Sequence, residues 1–338
     1  MKDKTDYCLL RHNTFGIDVR CRRFIEIETV DDALRLPAIL GTADSPLLII
    51  GAGSNLLLTR DFPGTVLHSS IHGLESFEGK DGSVTVRAGS GETWDSAVQT
   101  FIRQGWHGAE NLSLIPGDVG ATAVQNIGAY GAEASHIIYN VEAVEISSGR
   151  RMTLSADDCG YGYRQSRFKK EWRGRFFITH VTYRLQTTFT PLLDYGNIRD
   201  ILSQRGITAP TAGELRQAII DIRREKLPDP LVEGNAGSFF MNPVVSRDKY
   251  EALKAEYPLM PHYAADSGRE KIPAGWLIEQ CGWKGRTMGR AGVHSRQALV
   301  LVNRGGATGA EVVALCRAIQ RDVMGKFGIE IVPEVNIV

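Results

Sequence analysis

Two glycine-rich segments constrain the fold of this chain more than any other feature of its sequence. The first, GAGSN at residues 51–55, follows the apolar run LLII, and the second, IPGDVGATAVQNIGAYG at residues 115–131, has neither a helical nor a strand period. Glycine lets a backbone turn tightly and lie close to a ligand, and successive N–H groups in such a turn bind phosphate. The two segments together therefore predict a site for a pyrophosphate joined to a polar heterocycle.

Side chains within these segments favour the same kind of ligand. Ser54 and Asn55 add donors to the first turn, and Gln125 and Asn126 offer amides to the edge of a ring. The first segment is not a dinucleotide fingerprint, because G-x-G-x-x-G would require a glycine where Leu56 stands. Taken alone, GAGSN is equally well explained as an ordinary tight turn.

Composition and charge exclude several other classes of protein. The 338 residues predict roughly two or three domains, and Lys plus Arg equals Asp plus Glu at 39 each, without a block of like charge. We therefore expect neither nucleic acid nor a membrane surface as a partner. The five cysteines form no C-x-x-C pair, which argues against a disulfide framework or a zinc site and favours the cytoplasm. The sequence shows neither a signal peptide nor an apolar run of the ~18 residues that span a bilayer.

Strand and helix patterns alternate along the chain and predict an α+β protein. Capping patterns at Thr29 and Thr211 predict helices, the first running towards Leu40 and the second stopped by Pro228. The C-terminal segment 329–338 is expected to be extended, with a break or an edge position at Pro333 and Ile337 on its apolar face. The other predicted strands are residues 24–27, 47–50, 83–88, 141–146, 176–185 and 298–303. Residues 94–102 and 308–327 are predicted helices with an apolar stripe, the second with a capping pattern at Thr308, and residues 250–257 and 274–281 are the other predicted helices.

A third motif, NAGSFFMNP at residues 235–243, presents Ser238 between a glycine and two aromatic residues. The frame is not G-x-S-x-G and no histidine lies nearby in sequence, so the motif does not fit the nucleophile elbow of a hydrolase. On its own, the segment is also explained if Ser238 caps a turn before the helix near Tyr250.

The motifs GAGSNLL, IPGDVGATAVQNIGAYG, YGYRQSRFK, KLPDP, NAGSFFMNP and VPEVN occur in this order and together resemble the UDP-N-acetylenolpyruvoylglucosamine reductase (MurB) family of peptidoglycan synthesis. The resemblance runs from residue 13 to the C terminus. It implies an α+β fold in which two domains of the vanillyl-alcohol-oxidase (PCMH) type bind FAD and a C-terminal α+β domain binds substrate. The implied domains are residues 1–70, joined by the C-terminal strand 329–338, then 71–210 and 228–328.

The resemblance also implies a reaction in two halves. NADPH reduces FAD and NADP leaves, after which flavin N5 delivers hydride to C3 of UDP-N-acetylglucosamine enolpyruvate to form UDP-N-acetylmuramate. Negative charge then develops at C2 and in the adjoining carboxylate, so the site needs cations and hydrogen-bond donors there. By matching position, Arg164 binds the carboxylate, Ser238 protonates C2, and Glu334 donates a hydrogen bond if burial keeps it protonated. For Arg164 the ordinary alternative is a surface ion pair.

Further contacts follow from matching positions in the family. The FAD contacts implied are Gly51, Ala52, Gly53, Ser54, Asn55, Pro116, Gly117, Gly120, Ala121, Gln125, Asn126, Gly128, Ala129 and Tyr130. The contacts implied for substrate or NADPH are Tyr163, Arg223, Lys226, Asn242 and Gln297, with Tyr195 closing over the substrate diphosphate as in the longer branch of the family. Two positions depart from the family pattern: Met241 stands where many members carry lysine, and Ala123 stands where proline is common.

Two other functions stay open at this stage. A sugar or lactone oxidase of the same flavin fold would pass electrons to oxygen and turn over without NADPH. A nucleotide-sugar-binding regulator that lost the chemistry would show no flavin absorbance. The family resemblance implies a cytoplasmic enzyme whose partners are FAD, NADPH and a UDP-sugar, without a metal, and we expect it to be a monomer.

The substitution Ser238→Ala tests the proposed proton donor. We expect NADPH to reduce the flavin at an unchanged rate, because that half-reaction needs no proton at C2. Reoxidation by the enolpyruvyl substrate should be largely abolished, because the carbanion formed at C2 then lacks its acid. Stopped-flow absorbance of the flavin measures the two half-reactions separately. Equal slowing of both would remove Ser238 from this role.

Overall fold

The computed structural model of the chain describes residues 1–265 and 267–338. Its strands are, in chain order, β1 (Lys2–Cys8), β2 (Arg20–Ile27), β3 (Leu47–Ile50), β4 (Leu56–Leu57), β5 (Phe62–Ser69), β6 (Leu74–Glu78), β7 (Ser83–Gly89), β8 (Gly128–Ala129), β9 (Ala132–Glu133), β10 (Ile138–Glu145), β11 (Arg151–Ser155), β12 (Phe176–Gln186), β13 (Asn235–Ser238), β14 (Val244–Val245), β15 (Tyr263–Ala264), β16 (Glu270–Lys271), β17 (Thr287–Met288), β18 (Ala291–Val293), β19 (Val300–Asn303) and β20 (Asn336–Ile337). Its α-helices are α1 (Val30–Leu34), α2 (Leu36–Ile39), α3 (Trp94–Arg103), α4 (Val119–Gln125), α5 (Ile198–Gln204), α6 (Ala212–Lys226), α7 (Arg247–Glu256), α8 (Ala274–Gln280) and α9 (Gly309–Phe327).

The chain divides into two compact units, each built from several segments. The first unit contains Met1–Tyr7, Cys21–Ala52 and Pro63–Glu225, and the second contains Cys8–Arg20, Gly53–Phe62 and Lys226–Val338. The finer division into residues 1–70, 71–210 and 228–328 remains our proposal. Within the part of the chain that the structure describes, no helix combines the length and the apolar character needed to cross a membrane.

A five-stranded antiparallel sheet forms the main core of the first unit, in the order β11-β10-β12-β7-β6. The register places Val181 of β12 opposite Val141 on one side and Ala88 on the other, and all three side chains are fully buried or nearly so. Helix α3 packs Trp94 against Tyr183 of β12 at a ring distance of 5.3 Å. This contact buries the apolar stripe that the sequence predicted for the helix.

Helix α4 and the hairpin of β8 and β9 correct the expectation that residues 115–131 lack regular structure. The helix has only seven residues, too few to show a period, and tertiary contacts define it. Thr122 hydrogen bonds through its hydroxyl to the buried Tyr183 phenol at 2.7 Å, and Val119 and Ala123 are fully buried. Ala123 therefore lies in the interior of a packed helix.

A second sheet of the first unit, in the order β1-β2-β5-β3, includes a parallel pair of β3 and β5. The predicted capping box is confirmed, since Thr29 and Asp32 cap α1 reciprocally. The single helix expected as far as Leu40 is instead two short helices, because Pro37 lacks an N–H group and starts a new helix at α2. At α6, Thr211 and Glu214 form the predicted cap.

The second unit contains an antiparallel sheet in the order β13-β19-β18-β17 and the long helix α9. Strand β20 pairs in parallel with β4, which joins the C terminus to the strand that follows GAGSN. Pro333 breaks the last segment as expected and forms an isolated bridge with Phe240. The predicted apolar face extends past this break, since Ile331 and Val335 are buried on either side of it, but it ends before Ile337, which is 41% exposed. Ser246, and not Ser238, caps α7.

The capping box of α9 provides a stability test. Thr308 accepts a hydrogen bond from the Glu311 N–H at 3.2 Å, and the Glu311 carboxylate accepts one from the Thr308 N–H at 2.8 Å. We expect Thr308→Ala to lower the free energy of unfolding by roughly 0.5–2 kcal/mol, as measured by urea denaturation. The control Met324→Ala, on the exposed side of the same helix, should change it by less than about 0.5 kcal/mol. Equal effects of the two substitutions would contradict the capping role.

Candidate functional site

The first glycine-rich turn follows β3, and its backbone requires glycine at residue 53. A Cβ on Gly51 would lie 2.8 Å from Oδ2 of Asp118, and a Cβ on Gly53 would lie 2.1 Å from the carbonyl oxygen of His12. Gly53 also has a left-handed backbone, with φ of 66°. Gly51 and Ala52 belong to the first unit, whereas Gly53, Ser54 and Asn55 belong to the second.

Asp118 joins the two glycine-rich segments within the first unit. Its carboxylate accepts a hydrogen bond from the N–H of Ala52, and burial raises the pKa of the carboxyl to about 7. Sequence reasoning missed this residue, because a single aspartate in a loop is ordinarily a turn residue. The feature that could have identified Asp118 is that its carboxylate lies inside a segment predicted to bind an anion, where a negative charge is unexpected.

The loop before α4 and the helix itself are held against residues 90–94. The carbonyl of Gly117 accepts from the Trp94 N–H at 3.0 Å, and the Gly120 N–H donates to the Ser90 carbonyl at 2.9 Å. A Cβ on Gly120 would lie 2.9 Å from Cβ of Ser90, so this close approach needs glycine. The remaining residues of this segment that were predicted to contact FAD are Pro116, Ala121 and Gln125. Pro116 is exposed in the loop, and Ala121 and Gln125 belong to α4.

Asn126 ends α4 in a left-handed conformation and connects three backbone segments. Its fully buried amide donates to Oε2 of Glu133 at 2.8 Å and to the carbonyl of Gly162 at 2.9 Å, and it accepts from the Ser135 N–H at 2.9 Å. The sequence suggested that this amide faces the edge of a ligand ring. In the structure its atoms bind protein groups, because the chain must satisfy a buried amide wherever no water reaches it.

Arg164 lies against the β8–β9 hairpin with a left-handed backbone, at φ of 55°. Its guanidinium donates to the carbonyl of Gly128, lies 3.8 Å from a carboxylate oxygen of Glu133, and stacks over the Tyr163 ring with its carbon 5.1 Å from the ring centre. The side chain is only 18% exposed, so Arg164 does not form an ordinary surface ion pair. Tyr163 itself is 44% exposed.

Tyr130, at the turn of the same hairpin, connects Ala129 of β8 to the predicted substrate residue Arg223. The Arg223 guanidinium hydrogen bonds to the Tyr130 phenol and donates from Nε to the Leu114 carbonyl at 3.2 Å, and its burial lowers the pKa of the group. Tyr195 packs near Gly131, because a Cβ built on Gly131 would lie 3.4 Å from Cβ of Tyr195. Tyr195 is 51% exposed.

Asp95 and Arg216 support this region and were also missed from sequence. Arg216 makes two hydrogen bonds to the Asp95 carboxylate, at 2.7 and 2.8 Å, and Asp95 also accepts from the Leu114 N–H at 2.5 Å. Arg216 and Arg223 are seven residues apart on α6 and so lie on one face of the helix. The backbone of Leu114 is therefore bound on both sides, at its N–H by the Asp95 carboxylate and at its carbonyl by the Arg223 guanidinium.

In the second unit the structure brings Ser238 and Glu334 together. Ser238 ends β13 opposite Val300, and the Glu334 N–H donates to the carbonyl of the next residue, Phe239, at 2.8 Å. The carbonyl of Glu334 in turn accepts from the Asn55 amide at 3.4 Å. Ser238 and Glu334 are both partly buried, and this backbone hydrogen bond places Glu334 opposite the residue that follows Ser238.

The remaining predicted residues of the second unit are placed separately. Asn242 accepts a hydrogen bond from the first N–H of α8 at 2.9 Å, and Gln297 accepts one from the Leu299 N–H at 3.3 Å. Lys226 is exposed at the end of α6, and Met241 is bound through its backbone N–H to the Val332 carbonyl at 2.9 Å. The proposed catalytic residues thus divide between the units, with Arg164 in the first and Ser238 and Glu334 in the second.

The raised pKa of Asp118 predicts how the ligand-free protein responds to pH. Between the ordinary aspartate value of 3.8 and about 7, the folded state binds a proton that the unfolded state has released. Stability from this group is therefore complete below about pH 4 and is lost as the pH rises towards 7. We expect Asp118→Asn to gain in urea midpoint relative to the unsubstituted protein on going from about pH 5 to about pH 8. The exposed substitution Asp200→Asn is the control, and a matching gain there would contradict this assignment.

Comparison with known proteins identifies a family with this arrangement. An FAD binding domain profile matches residues 22–155, and the profile of the C-terminal domain of UDP-N-acetylenolpyruvoylglucosamine reductase matches residues 229–338. The reductase of that name from Bacteroides fragilis is 53% identical over 333 residues, which cover 98% of this chain and 99% of that protein. The one from Burkholderia cenocepacia is 49% identical over 331 residues, which cover 97% of this chain and 95% of that protein.

A solved structure supports the fold. The crystal structure of UDP-N-acetylenolpyruvylglucosamine reductase from Thermus caldophilus is 21% identical, covers 99% of this chain and 98% of its own, and superimposes with a TM-score of 0.67. The α+β fold expected from sequence, with an FAD-binding part followed by a reductase C-terminal domain, is confirmed. By sequence over nearly its whole length, the chain belongs to the UDP-N-acetylenolpyruvoylglucosamine reductase family.

Proposed function

We propose that this chain is an FAD-containing, NADPH-dependent enzyme that reduces UDP-N-acetylglucosamine enolpyruvate to UDP-N-acetylmuramate in peptidoglycan synthesis. The observation that carries the proposal is the near full-length similarity, at 49–53% identity, to reductases of this name. The oxidase and regulator alternatives lack comparable support. The residues proposed for the reaction also occupy positions suited to it.

The two glycine-rich segments fit FAD. At Gly51 and Gly120 the absence of a side chain lets two backbone segments approach, since a Cβ would come within 2.8 Å of Asp118 and 2.9 Å of Ser90. Successive N–H groups in glycine-rich turns suit the pyrophosphate of a dinucleotide. When bound, FAD supplies redox chemistry, accepting a hydride from NADPH and passing it to the enolpyruvyl carbon. The residues proposed to hold it are Gly51, Ala52, Gly53, Ser54, Asn55, Pro116, Gly117, Gly120, Ala121, Gln125, Asn126, Gly128, Ala129 and Tyr130.

Arg164 is suited to bind the substrate carboxylate. Its guanidinium donates to the carbonyls of Asn126 and Gly128 and lies 3.8 Å from a carboxylate oxygen of Glu133. A guanidinium carries a permanent charge and a planar set of donors, which match the geometry of a carboxylate. That charge stabilises the negative charge that develops beside C2 during hydride addition.

Ser238 and Glu334 are suited to deliver the proton to C2. We assign the transferred proton to the Ser238 hydroxyl, and the partial exposure of this residue allows the proton to be replaced from water. Glu334 lies beside the same strand end and can donate a hydrogen bond to the enolate when protonated. Met241, in the same motif, brings no positive charge to this site.

Further residues are proposed to bind the substrate or NADPH. Arg223 carries a largely buried cation beside Tyr130, which suits a phosphate, and the exposed Tyr195 can move to cover it. Tyr163, Lys226, Asn242 and Gln297 complete the proposed contacts. A monomer is our proposal for the oligomeric state. The free cysteines support our proposal of a cytoplasmic location.

Visible absorbance of the purified protein tests the function directly. We expect a flavin spectrum, bleaching on anaerobic addition of NADPH, and recovery on addition of the enolpyruvyl UDP-sugar. As a control, UDP-N-acetylglucosamine should leave the bleached spectrum unchanged, because it lacks the enolpyruvyl group. Protein that cannot take up FAD would contradict the proposal, and rapid turnover with sugar and oxygen in the absence of NADPH would favour an oxidase.

A further inference from the structure

We propose that Asp118 couples the binding of FAD to the uptake of a proton, so that the affinity for FAD falls as the pH rises. The inference rests on the proposed function, in which the two glycine-rich segments bind this dinucleotide. Asp118 lies in the second segment, directly before α4, and its side chain reaches the first segment. It thus brings an acidic group to the place proposed for the negatively charged pyrophosphate.

The Asp118 carboxylate uses an N–H group of the first glycine-rich turn. It accepts a hydrogen bond from the N–H of Ala52, and a Cβ built on Gly51 would lie 2.8 Å from its Oδ2 atom. Ala52 and Gly51 both belong to the turn that is proposed to bind phosphate, and successive N–H groups in such a turn attract an anion. Asp118 therefore supplies the turn with a carboxylate from within the protein.

The backbone holds Asp118 beside this turn. The N–H of Trp94 donates to the carbonyl of Gly117 at 3.0 Å. Thr93 and Asp118 form an isolated antiparallel bridge, and the Asp118 carbonyl accepts from the Ala121 N–H at 3.0 Å. An aspartate directly before a helix usually caps it, yet within the described residues this side chain makes no capping bond to α4. The carboxyl is turned towards the first segment instead.

The carboxyl of Asp118 titrates near neutral pH. Burial raises its pKa to about 7, and the hydrogen bond from the Ala52 N–H opposes this effect because it favours the ionised form. Around neutral pH, the protein without FAD is therefore a mixture of molecules with a neutral and with a negative side chain at this position. These two forms differ in their electrostatic interaction with a phosphate.

Other titratable groups lie on the elements beside this carboxyl. His68 of β5 binds the Ile50 carbonyl, and burial lowers the pKa of the imidazole, so it is neutral above its ordinary value of 6.5. Glu92 lies 3.6 Å from His72, and Asp95 of α3 is paired with Arg216. Any contribution of these groups to FAD binding remains when the carboxyl of residue 118 is replaced by an amide, so that substitution isolates its effect.

Bound pyrophosphate should raise the pKa of Asp118 further, because a neighbouring negative charge and the loss of water both disfavour the ionised form. A protonated carboxyl can still accept from Ala52 and gains an O–H donor for a phosphate oxygen. Below about pH 7 the protein already carries this proton, and the affinity for FAD does not depend on it. Above about pH 7, binding takes up a proton, and the affinity falls by up to about tenfold per pH unit.

The substitution Asp118→Asn tests the coupling, because asparagine keeps an acceptor for Ala52 and a donor but stays neutral. From about pH 6.5 to about pH 8.5, we expect the dissociation constant for FAD to rise about 10-fold or more in the unsubstituted protein. In the variant it should change by less than about threefold, so that the variant binds FAD more tightly at the higher pH. Titration of the full-length apoprotein with FAD, followed by flavin fluorescence, measures both constants.

The control Asp200→Asn, at an exposed position of α5, should keep the pH dependence of the unsubstituted protein. A gain in affinity at high pH separates the proposed coupling from a general loss of structure, which would weaken binding at every pH. Equal pH dependence in Asp118→Asn and in the unsubstituted protein would overturn the inference.

Proton uptake provides a second measurement that does not depend on the folding of a variant. Calorimetric titration of the unsubstituted apoprotein with FAD, in buffers of different ionisation enthalpy, counts the protons bound. We expect about one proton per FAD at about pH 8 and almost none at about pH 6. Absence of uptake at the higher pH would overturn the inference, because the Asp118 carboxyl would then stay ionised or turn away from the ligand.

Failure of this inference can be told apart from failure of the proposed function. If the protein binds no FAD at any pH, the proposed function itself is contradicted. If FAD binds, is reduced by NADPH and is reoxidised by the enolpyruvyl substrate, but binding takes up no proton, only the role of Asp118 is wrong.

Discussion

The buried amide of Asn126 is the interaction on which the candidate site of the first unit depends most. It bonds to the carboxylate of Glu133, the backbone of Ser135 and the carbonyl of Gly162, and so joins the end of α4, the β8–β9 hairpin and the loop of Arg164. Leaving a donor or acceptor of a buried amide without a partner costs roughly 1–3 kcal/mol. Separation of these three segments is therefore unfavourable. The loop that carries the proposed catalytic arginine is thereby tied to the end of α4 and to the hairpin.

Strained backbone is concentrated around the same site. Leu114, Asn126, Tyr130 and Arg164 all have positive φ values, between 46° and 57°, in a region that costs side-chain-bearing residues energy of order 1 kcal/mol or more. The cost is offset by specific contacts. Asp95 and Arg223 bind the two sides of the Leu114 peptide, the Asn111 amide donates to the Tyr130 carbonyl at 2.8 Å, and Lys169 binds the Arg164 carbonyl.

Electrostatics at the site follow from burial as much as from neighbouring charges. Burial raises the pKa of Asp118 to about 7 and lowers that of the Arg223 guanidinium, although Tyr130 and Asp95 oppose the second effect. Such groups are costly to keep in a folded protein unless a ligand or a mechanism uses their charge. The positive charge of Arg223 would attract an anionic ligand. An ionised Asp118 would repel a phosphate, so the two can lie close together at low electrostatic cost only while Asp118 is protonated.

The sequence alone determined the family-level features of this protein. Glycine-rich turns, capping boxes at Thr29, Thr211 and Thr308, and the apolar stripes of α3 and α9 are local patterns, and each is confirmed because propensity and burial favour the same structure. The ordered motifs led from there to the flavin reductase fold. Only the tertiary structure decided that residues 119–125 form a helix, that the Asn126 amide binds protein groups such as Glu133, and that the Asp118 carboxyl is buried beside Ala52. These features depend on desolvation and on contacts between residues distant in sequence, which no local pattern records.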